Sequence, residues 1–266
     1  MTFDLDSIPL SLVLCFAAVI LLALTGWLYS LWVDEVSIVA PLWPIMVLIC
    51  TLIYSNFSGA QGALAIAIAV MVFVWSLRMA VFLLIRDHYR PEQRQYRLMR
   101  IELSSSFYRK SLPKIFFGHA ISAWIASCIF AVILFDIGRG NTQWTGVHTF
   151  ALGAFTVGLI AQTIADYQLH SFSKNIQRVS GTFEKGLWKY SRHPNYFAEC
   201  LIWWSWGIFA IPTGNIMAII SPVFITYLMV KVKAAQDVEE EIASRRPDYK
   251  KYIENTSFMV PWRSKL

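Results

Sequence analysis

The chain has 266 residues, of which 56% are hydrophobic, 15% aromatic and 15% charged, and it carries a formal net charge of +6. With a mean hydropathy of +0.50, that composition excludes an ordinary soluble domain. It also leaves no folded basic domain that would present the positive charge to nucleic acid.

The N-terminus, Met1-Thr2-Phe3-Asp4-Leu5-Asp6, is acidic and lacks the basic stretch of a cleavable signal, so the first apolar run is expected to remain as a span. Apolar runs at 8–32, 38–55, 62–85, 115–135, 147–165, 197–212 and 214–231 predict about seven transmembrane helices. The expected fold is an all-α polytopic helix bundle, with 1–266 as a single integral membrane domain. The sixth and seventh runs are short and joined by Pro212-Thr213-Gly214-Asn215, a turn signal that also suits a re-entrant hairpin.

Several polar residues interrupt or flank these runs. Asp34, Glu35 and Tyr54 fall at span ends and read as interface residues, as do His119 and His148 near the ends of the fourth and fifth spans. Arg78 lies inside the third span, about 12 Å along the helix from Arg86, and is expected to snorkel or to pair with an acid. Cys15, Cys50, Cys128 and Cys200 sit inside apolar runs without metal-type spacing, so they read as small core residues and no metal site is expected.

Lysine and arginine set the expected orientation, because cytoplasmic loops carry the excess. The 86–114 segment holds Arg86, Arg90, Arg94, Arg97, Arg100, Arg109, Lys110 and Lys114, and the 169–196 segment holds Lys174, Arg178, Lys185, Lys189 and Arg192. The tail adds Lys231, Lys233, Arg245, Arg246, Lys250, Lys251, Arg263 and Lys265, whereas the opposite side receives Arg139. The N-terminus is therefore expected outside and the C-terminus in the cytoplasm, as suits a bacterial inner membrane. Tyr96, Met99, Leu103 and Phe107 recur at helical spacing among the arginines, the pattern of a helix lying in the interface plane.

The densest polar cluster is Gly181-Thr182-Phe183-Glu184-Lys185-Gly186-Leu187-Trp188-Lys189-Tyr190-Ser191-Arg192-His193-Pro194-Asn195-Tyr196-Phe197-Ala198-Glu199, which runs into the sixth span. Pro194 suits the first helical position, and Asn195 and Glu199, four apart, share one helix face. A carboxylate at the depth of Glu199 costs about 2.5–3.5 kcal/mol on insertion scales and needs a polar partner. The free N–H groups of the helix start, with Lys189 and Arg192 beside them, suit a phosphate. Asp166, in Asp166-Tyr167-Gln168-Leu169-His170, brings a second carboxylate toward the same face. Two readings stay open for the acids: hydrogen bonding to a ligand's ribose or amide, or pairing with Arg or Lys to hold helix ends together. In the tail, Glu239, Glu240 and Glu241 precede Arg245, Arg246, Tyr249 and Tyr252, which suits either closure over a ligand or a solvated helix laced by ion pairs.

The run GLWKYSRHPNYFAE followed by Trp203-Trp204 resembles the signature of the steroid 5α-reductase-like membrane family, in particular its bacterial branch of uncharacterised-domain proteins. The shorter core Arg192-His193-Pro194-x-Tyr196 is shared with isoprenylcysteine carboxyl methyltransferases and phospholipid methyltransferases, and the Asn195-Tyr196-Phe197-x-Glu199 extension favours the reductases. The resemblance covers 150–262, including Asp166, Tyr249-x-x-Tyr252 and Phe258-x-x-Pro261. It implies a cytosol-facing NADPH site and a lipophilic, steroid- or terpenoid-like substrate entering from the membrane. The cofactor contacts it implies are Asp166, Lys174, Tyr190, Arg192, His193, Asn195, Tyr196, Glu199 and Tyr249.

The departures from the family matter as well. The Gln-Glu pair by which eukaryotic steroid reductases orient and protonate an enone carbonyl has no counterpart in the early spans, so no catalytic acid is assigned. Ala198 stands where many relatives have glycine. S-adenosylmethionine-dependent methyl transfer and non-catalytic lipid binding are the alternative functions. Trp203, Trp204 and Trp206 suit either a flat apolar pocket or the membrane boundary.

Overall fold

The structure is a computed structural model that describes residues 7–88, 92–174, 182–231, 239, 243–244 and 247–262, which form helices, turns and short irregular links without strand among them. These divide into two compact units, Met1–Gly146 with Ala210–Ser221, and Val147–Phe209 with Pro222–Leu266.

In the first unit α1 (Ser7–Val33), α2 (Val39–Ser58), α3 (Gly62–His88) and α6 (Phe117–Gly138) follow the first four apolar runs. α2 is the central helix and packs against α1, α3 and α6. Its Met46, Val47, Cys50 and Tyr54 are buried, as are Ile68, Met71 and Trp75 of α3 and Ile129 and Phe130 of α6. Membrane helices gain little from apolar burial against one another, so close packing and cross-helix hydrogen bonds hold them together. Both occur here. A Cβ on Gly138 would stand 1.9 Å from the Ser58 carbonyl oxygen, so the ends of α6 and α2 meet only because residue 138 is glycine. Trp43 Nε1 donates to Ser122 Oγ at 2.9 Å, and Trp124 Nε1 donates to the Leu12 carbonyl at 3.0 Å.

Between α3 and α6, α4 (Arg94–Leu103) and the short α5 (Phe107–Ser111) fold back against the end of α1. Arg100 holds this turn. It donates to Glu92 at 2.9 and 3.2 Å and to Asp34 Oδ1 at 2.8 Å, and its guanidinium carbon lies 4.4 Å from the Phe107 ring centroid. Trp27 Nε1 of α1 donates to the Tyr108 carbonyl at 3.1 Å, which fixes α5 beside the last turns of α1.

In the second unit α7 (Gly146–Lys174) and α8 (Pro194–Phe209) run antiparallel. Contacts descend one helix as they ascend the other: His148 against Phe209, Phe155 against Trp206, Gly158 against Ile202, Gln162 against Glu199 and Asp166 against Asn195. α9 (Ile220–Lys231) returns along α8, with Trp204 Nε1 donating to Thr226 Oγ1 at 3.0 Å and Pro222 against Gly207. α10 (Pro247–Asn255) and the tail to Trp262 pack on residues 188–192.

Among the described residues, five helical stretches are long and apolar enough to cross a membrane, Ser7–Val33, Val39–Ser58, Gly62–Asp87, Arg94–Gly138 and Gly146–Ser173, so the chain is a multi-pass membrane protein. The sixth and seventh apolar runs form shorter helices of 16 and 12 residues. The turn between them is two 3₁₀ segments, Ile211–Thr213 and Ile216–Ile219, joined through the left-handed Gly214 and capped where Asn215 Oδ1 accepts from Met217 N at 3.0 Å.

Two expected interface residues have side chains covered by protein. Tyr54 is fully buried on α2, which packs against three neighbouring helices, and His148 is buried with its ring 4.7 Å from that of Phe209. Asp34 does lie at an exposed span end, and Arg78 sits with its guanidinium 5.4 Å from the Phe82 ring. Cys15, Cys50 and Cys200 are buried and Cys128 is half-buried, all as free thiols.

Candidate functional site

The polar motif is held by both chain neighbours and distant segments. Gly186 adopts a left-handed φ of 61°, and a Cβ there would stand 2.3 Å from Gln168 Nε2. That close approach lets Gln168 Oε1 accept from Leu187 N at 3.1 Å, while Trp188 Nε1 donates to the Ala165 carbonyl at 3.1 Å. The turn 186–189 is thereby pinned to the last third of α7. From the other side, the Tyr252 hydroxyl donates to the Trp188 carbonyl at 2.6 Å, Arg192 N donates to the Ser257 carbonyl at 2.8 Å, Ser191 Oγ donates to the Met259 carbonyl at 2.7 Å, and Trp262 N donates to the Tyr190 carbonyl at 3.0 Å. The tail is a strap across residues 188–192.

α8 starts at Pro194, where the missing N–H costs nothing, and the His193 carbonyl accepts from Tyr196 N and Phe197 N at 3.1 and 3.2 Å. Asn195 and Glu199 then face α7 together, as their spacing predicts. Asn195 Nδ2 donates to Asp166 Oδ1 at 3.2 Å, and one turn deeper Gln162 Nε2 donates to Glu199 Oε2 at 2.5 Å. Trp203 Nε1 donates to the other Glu199 oxygen at 2.8 Å. Asp166 and Glu199 are 3% and 4% exposed, so each buried carboxylate has the hydrogen bonds its burial demands. Gln162 Oε1 is buried without a hydrogen-bond partner.

Above the helix start lies a second cluster. Glu239 is buried and shared: its Oε1 is 3.0 Å from His193 Nε2 and its Oε2 is 3.1 Å from an Arg192 terminal nitrogen. A carboxylate only accepts, so His193 holds its proton on Nε2. The imidazole stacks on Tyr196, with ring centroids 4.9 Å apart, and leans on Phe258 at 4.8 Å. The Arg192 guanidinium lies 5.5 Å from the Phe258 ring centroid. The Arg192–Glu239 separation suits an ion pair, but the nitrogen's N–H groups point off the oxygen. Neither that nitrogen nor Nε makes a directed hydrogen bond, although both are buried. Burial, with the Glu239 charge adding to it, pushes the Tyr249 phenol up to about 12.

The nine residues singled out in the sequence thus separate. Asp166, Asn195 and Glu199 meet between α7 and α8, and Arg192, His193 and Tyr196 gather on Glu239 and Phe258. Tyr249 sits ring to ring with Tyr252 at 5.8 Å. Tyr190 turns outward at 45% exposure and contributes its carbonyl to the strap. The side chain of Lys174 lies outside the described residues, as do Arg178, Glu240, Glu241, Arg245 and Arg246. Of the two readings of the tail acids, a solvated helix fails for Glu239, whose carboxylate is buried on a histidine and an arginine. Trp203 and Trp206 are fully buried and Trp204 is partly exposed.

Sequence reasoning missed Gln162. The signal was present: Gln162 and Asp166 are four apart on α7, as Asn195 and Glu199 are on α8, and two such pairs on antiparallel helices meet as two rungs.

An uncharacterized protein of Schizosaccharomyces pombe is 24% identical over 208 residues, which cover 69% of this chain and 60% of that protein. The chain therefore spans about 60% of the length of the curated relative it matches. No solved structure matches it. A family model described as "Protein of unknown function (DUF1295)" matches residues 26–256, which includes both rungs, the shared Glu239 and Tyr252 of the strap. The chain belongs to that family, whose members are uncharacterised membrane proteins of the 5α-reductase-like kind.

Proposed function

We propose that this protein is an NADPH-dependent membrane reductase acting on the conjugated C=C bond of a lipophilic, steroid- or terpenoid-like substrate. The observation that carries the reading is the presence, around the start of α8, of an Arg192 whose Nε and one terminal nitrogen are buried without directed hydrogen bonds, and of two buried carboxylates, Asp166 and Glu199, on rungs one helix turn apart. A dinucleotide calls for such a set: a cation for phosphate, and fixed acceptors for ribose hydroxyls or a carboxamide. The orphaned Arg192 Nε and Gln162 Oε1 supply an unused donor and an unused acceptor, so the residues fit the group.

When bound, NADPH supplies the hydride. The chain's own part is to bind and orient. Glu199, held by Gln162 and Trp203, presents a fixed charge at membrane depth; Asp166 and Asn195 do the same at the helix start. Arg192 and His193, held by Glu239 and the strap, meet anionic groups arriving from the basic side. On this reading the N-terminus is outside, the C-terminus is cytoplasmic and the membrane is a bacterial inner membrane, since lysine and arginine concentrate on the face that carries the motif.

A methyltransferase using S-adenosylmethionine is the second reading, favoured by Arg192-His193-Pro194-x-Tyr196, which that enzyme class shares. Thermal shift of detergent-purified protein with each ligand separates the two, because a ligand that binds the folded state raises its apparent stability. Stabilisation by NADPH, and its loss in Glu199→Gln, is the expected result. Stabilisation by S-adenosylmethionine alone overturns the reductase reading, and silence from both favours non-catalytic lipid binding.

A further inference from the structure

We infer that the α4–α5 segment of the first unit is a docking surface for anionic phospholipid headgroups. The segment is strongly cationic, and its acids are largely spent. Arg100 takes Glu92 and Asp34 for itself, leaving Glu102 as the remaining acid between 92 and 116. Arg97, Arg109 and Lys110 are exposed, as is Lys114 just beyond α5, and none of them has an ion-pair partner among the described residues.

Apolar side chains emerge beside these cations. Ile101 is 77% exposed, and Leu98, three residues earlier on the same helix face, is 49% exposed; Arg97 lies four residues before Ile101. A short helix that pairs free cations with bare aliphatic groups matches a bilayer interface better than water or a protein core.

The depth of the segment is fixed by its contacts within the first unit. α5 is hydrogen-bonded to Trp27, six residues before α1 ends at Val33, and the Tyr108 hydroxyl donates to Asp34 at 2.9 Å just past that end. The last turns of α1 expose Tyr29 and Trp32, the latter by 80%, as an aromatic girdle at headgroup level does. The chain then passes through residues 112–116 into α6. The free cations thus stand at the end of two spans, where lipid phosphates lie. Charge complementarity selects anionic lipid, since zwitterionic headgroups offer no net charge to release them from water.

The test uses the full chain in detergent, titrated with phosphatidylglycerol or phosphatidylcholine of matched acyl chains and read by native mass spectrometry. Preferential retention of phosphatidylglycerol is expected, with about a tenfold loss of that preference in R97Q/R109Q/K110Q/K114Q. Circular dichroism checks that the variant keeps its helix. If it does not, the wild-type preference is measured between low and high salt, where screening should reduce it. Equal retention of the two lipids, an unchanged preference in the variant, or salt-independent retention overturns the inference. Retention of a co-purifying acidic protein in place of lipid overturns it as well.

Discussion

Glu239 decides more than its position in an acid run suggests. Its two oxygens serve a largely covered histidine and an arginine with two buried nitrogens that lack a directed hydrogen bond. Removing a partner from a buried charge costs far more than the pair contributes, because the remaining charge is left without compensation. Glu239→Gln is therefore expected to destabilise the folded protein by about 2–4 kcal/mol, measured by chemical unfolding in detergent. The fully solvated reading of the same residue predicts a change within about 0.5 kcal/mol. The contrast also shows where the sequence is silent. Glu239, Glu240 and Glu241 are identical in type and adjacent, and only the fold, which brings residues 192 and 193 to Glu239, distinguishes one of them. The local features were readable: Pro194 marks the start of α8, and the Asn195/Glu199 spacing gives the face. The partner of Gln162 and the burial of Tyr54 were not legible, since neither is encoded within a few residues of the position.

At the scale of elements, the strap and the α4–α5 turn make opposite predictions. The Tyr252 hydroxyl is buried and donates to the Trp188 carbonyl at 2.6 Å, so Tyr252→Phe leaves a buried carbonyl short of a donor and should cost about 1–2 kcal/mol. Burial raises the Tyr252 phenol above its ordinary value, which means this stability is present below that value, near 10, and is lost as pH rises through the folded one. Asp34 runs the other way. The Tyr108 hydroxyl, and then Arg100, hold its carboxyl below the usual carboxylate range. Stability from a lowered carboxyl is present above the unfolded value, near 3.9, and is lost as pH falls through the folded value. Asp34 adopts a left-handed φ of 54°, which asparagine tolerates, so Asp34→Asn tests the charge without straining the turn. Wild type and variant should unfold differently at neutral pH and converge as pH falls through the lowered folded value of Asp34 in an acid titration. A gap that persists there would assign the difference to packing.

The whole molecule poses the question of how the chain crosses the bilayer after α7. Hydropathy made the first three long helices legible to within a few residues, because about 20 apolar residues in a row have no other use, but it missed the start of the fourth stretch, Arg94–Gly138, and the last turns of the fifth, Gly146–Ser173, where polar residues continue the helix. It left the last pair unresolved, and the structure shows the physical reason. α8 extends about 24 Å and α9 about 18 Å at 1.5 Å per residue, both short of a hydrocarbon core of about 30 Å. The 3₁₀ turn Ile216–Ile219 leads directly into α9 and lengthens that arm, while Ile211, Ile216 and Met217 around the turn are exposed and apolar. Seven crossings with the C-terminus inside require Asn215 to reach the outer headgroups; a re-entrant hairpin leaves it in hydrocarbon. Cysteine at 215 reports the difference, since the native thiols are buried or half-buried and give a low background. In right-side-out membranes, Asn215→Cys should react with an impermeant maleimide as readily as a cysteine at Gly140, on the turn after α6. Labelling at 140 but not at 215 would assign α8 and α9 to a re-entrant hairpin. The even number of crossings lost with that pair would leave the motif on the same face, so the proposed cofactor site would survive while the seven-span topology would not.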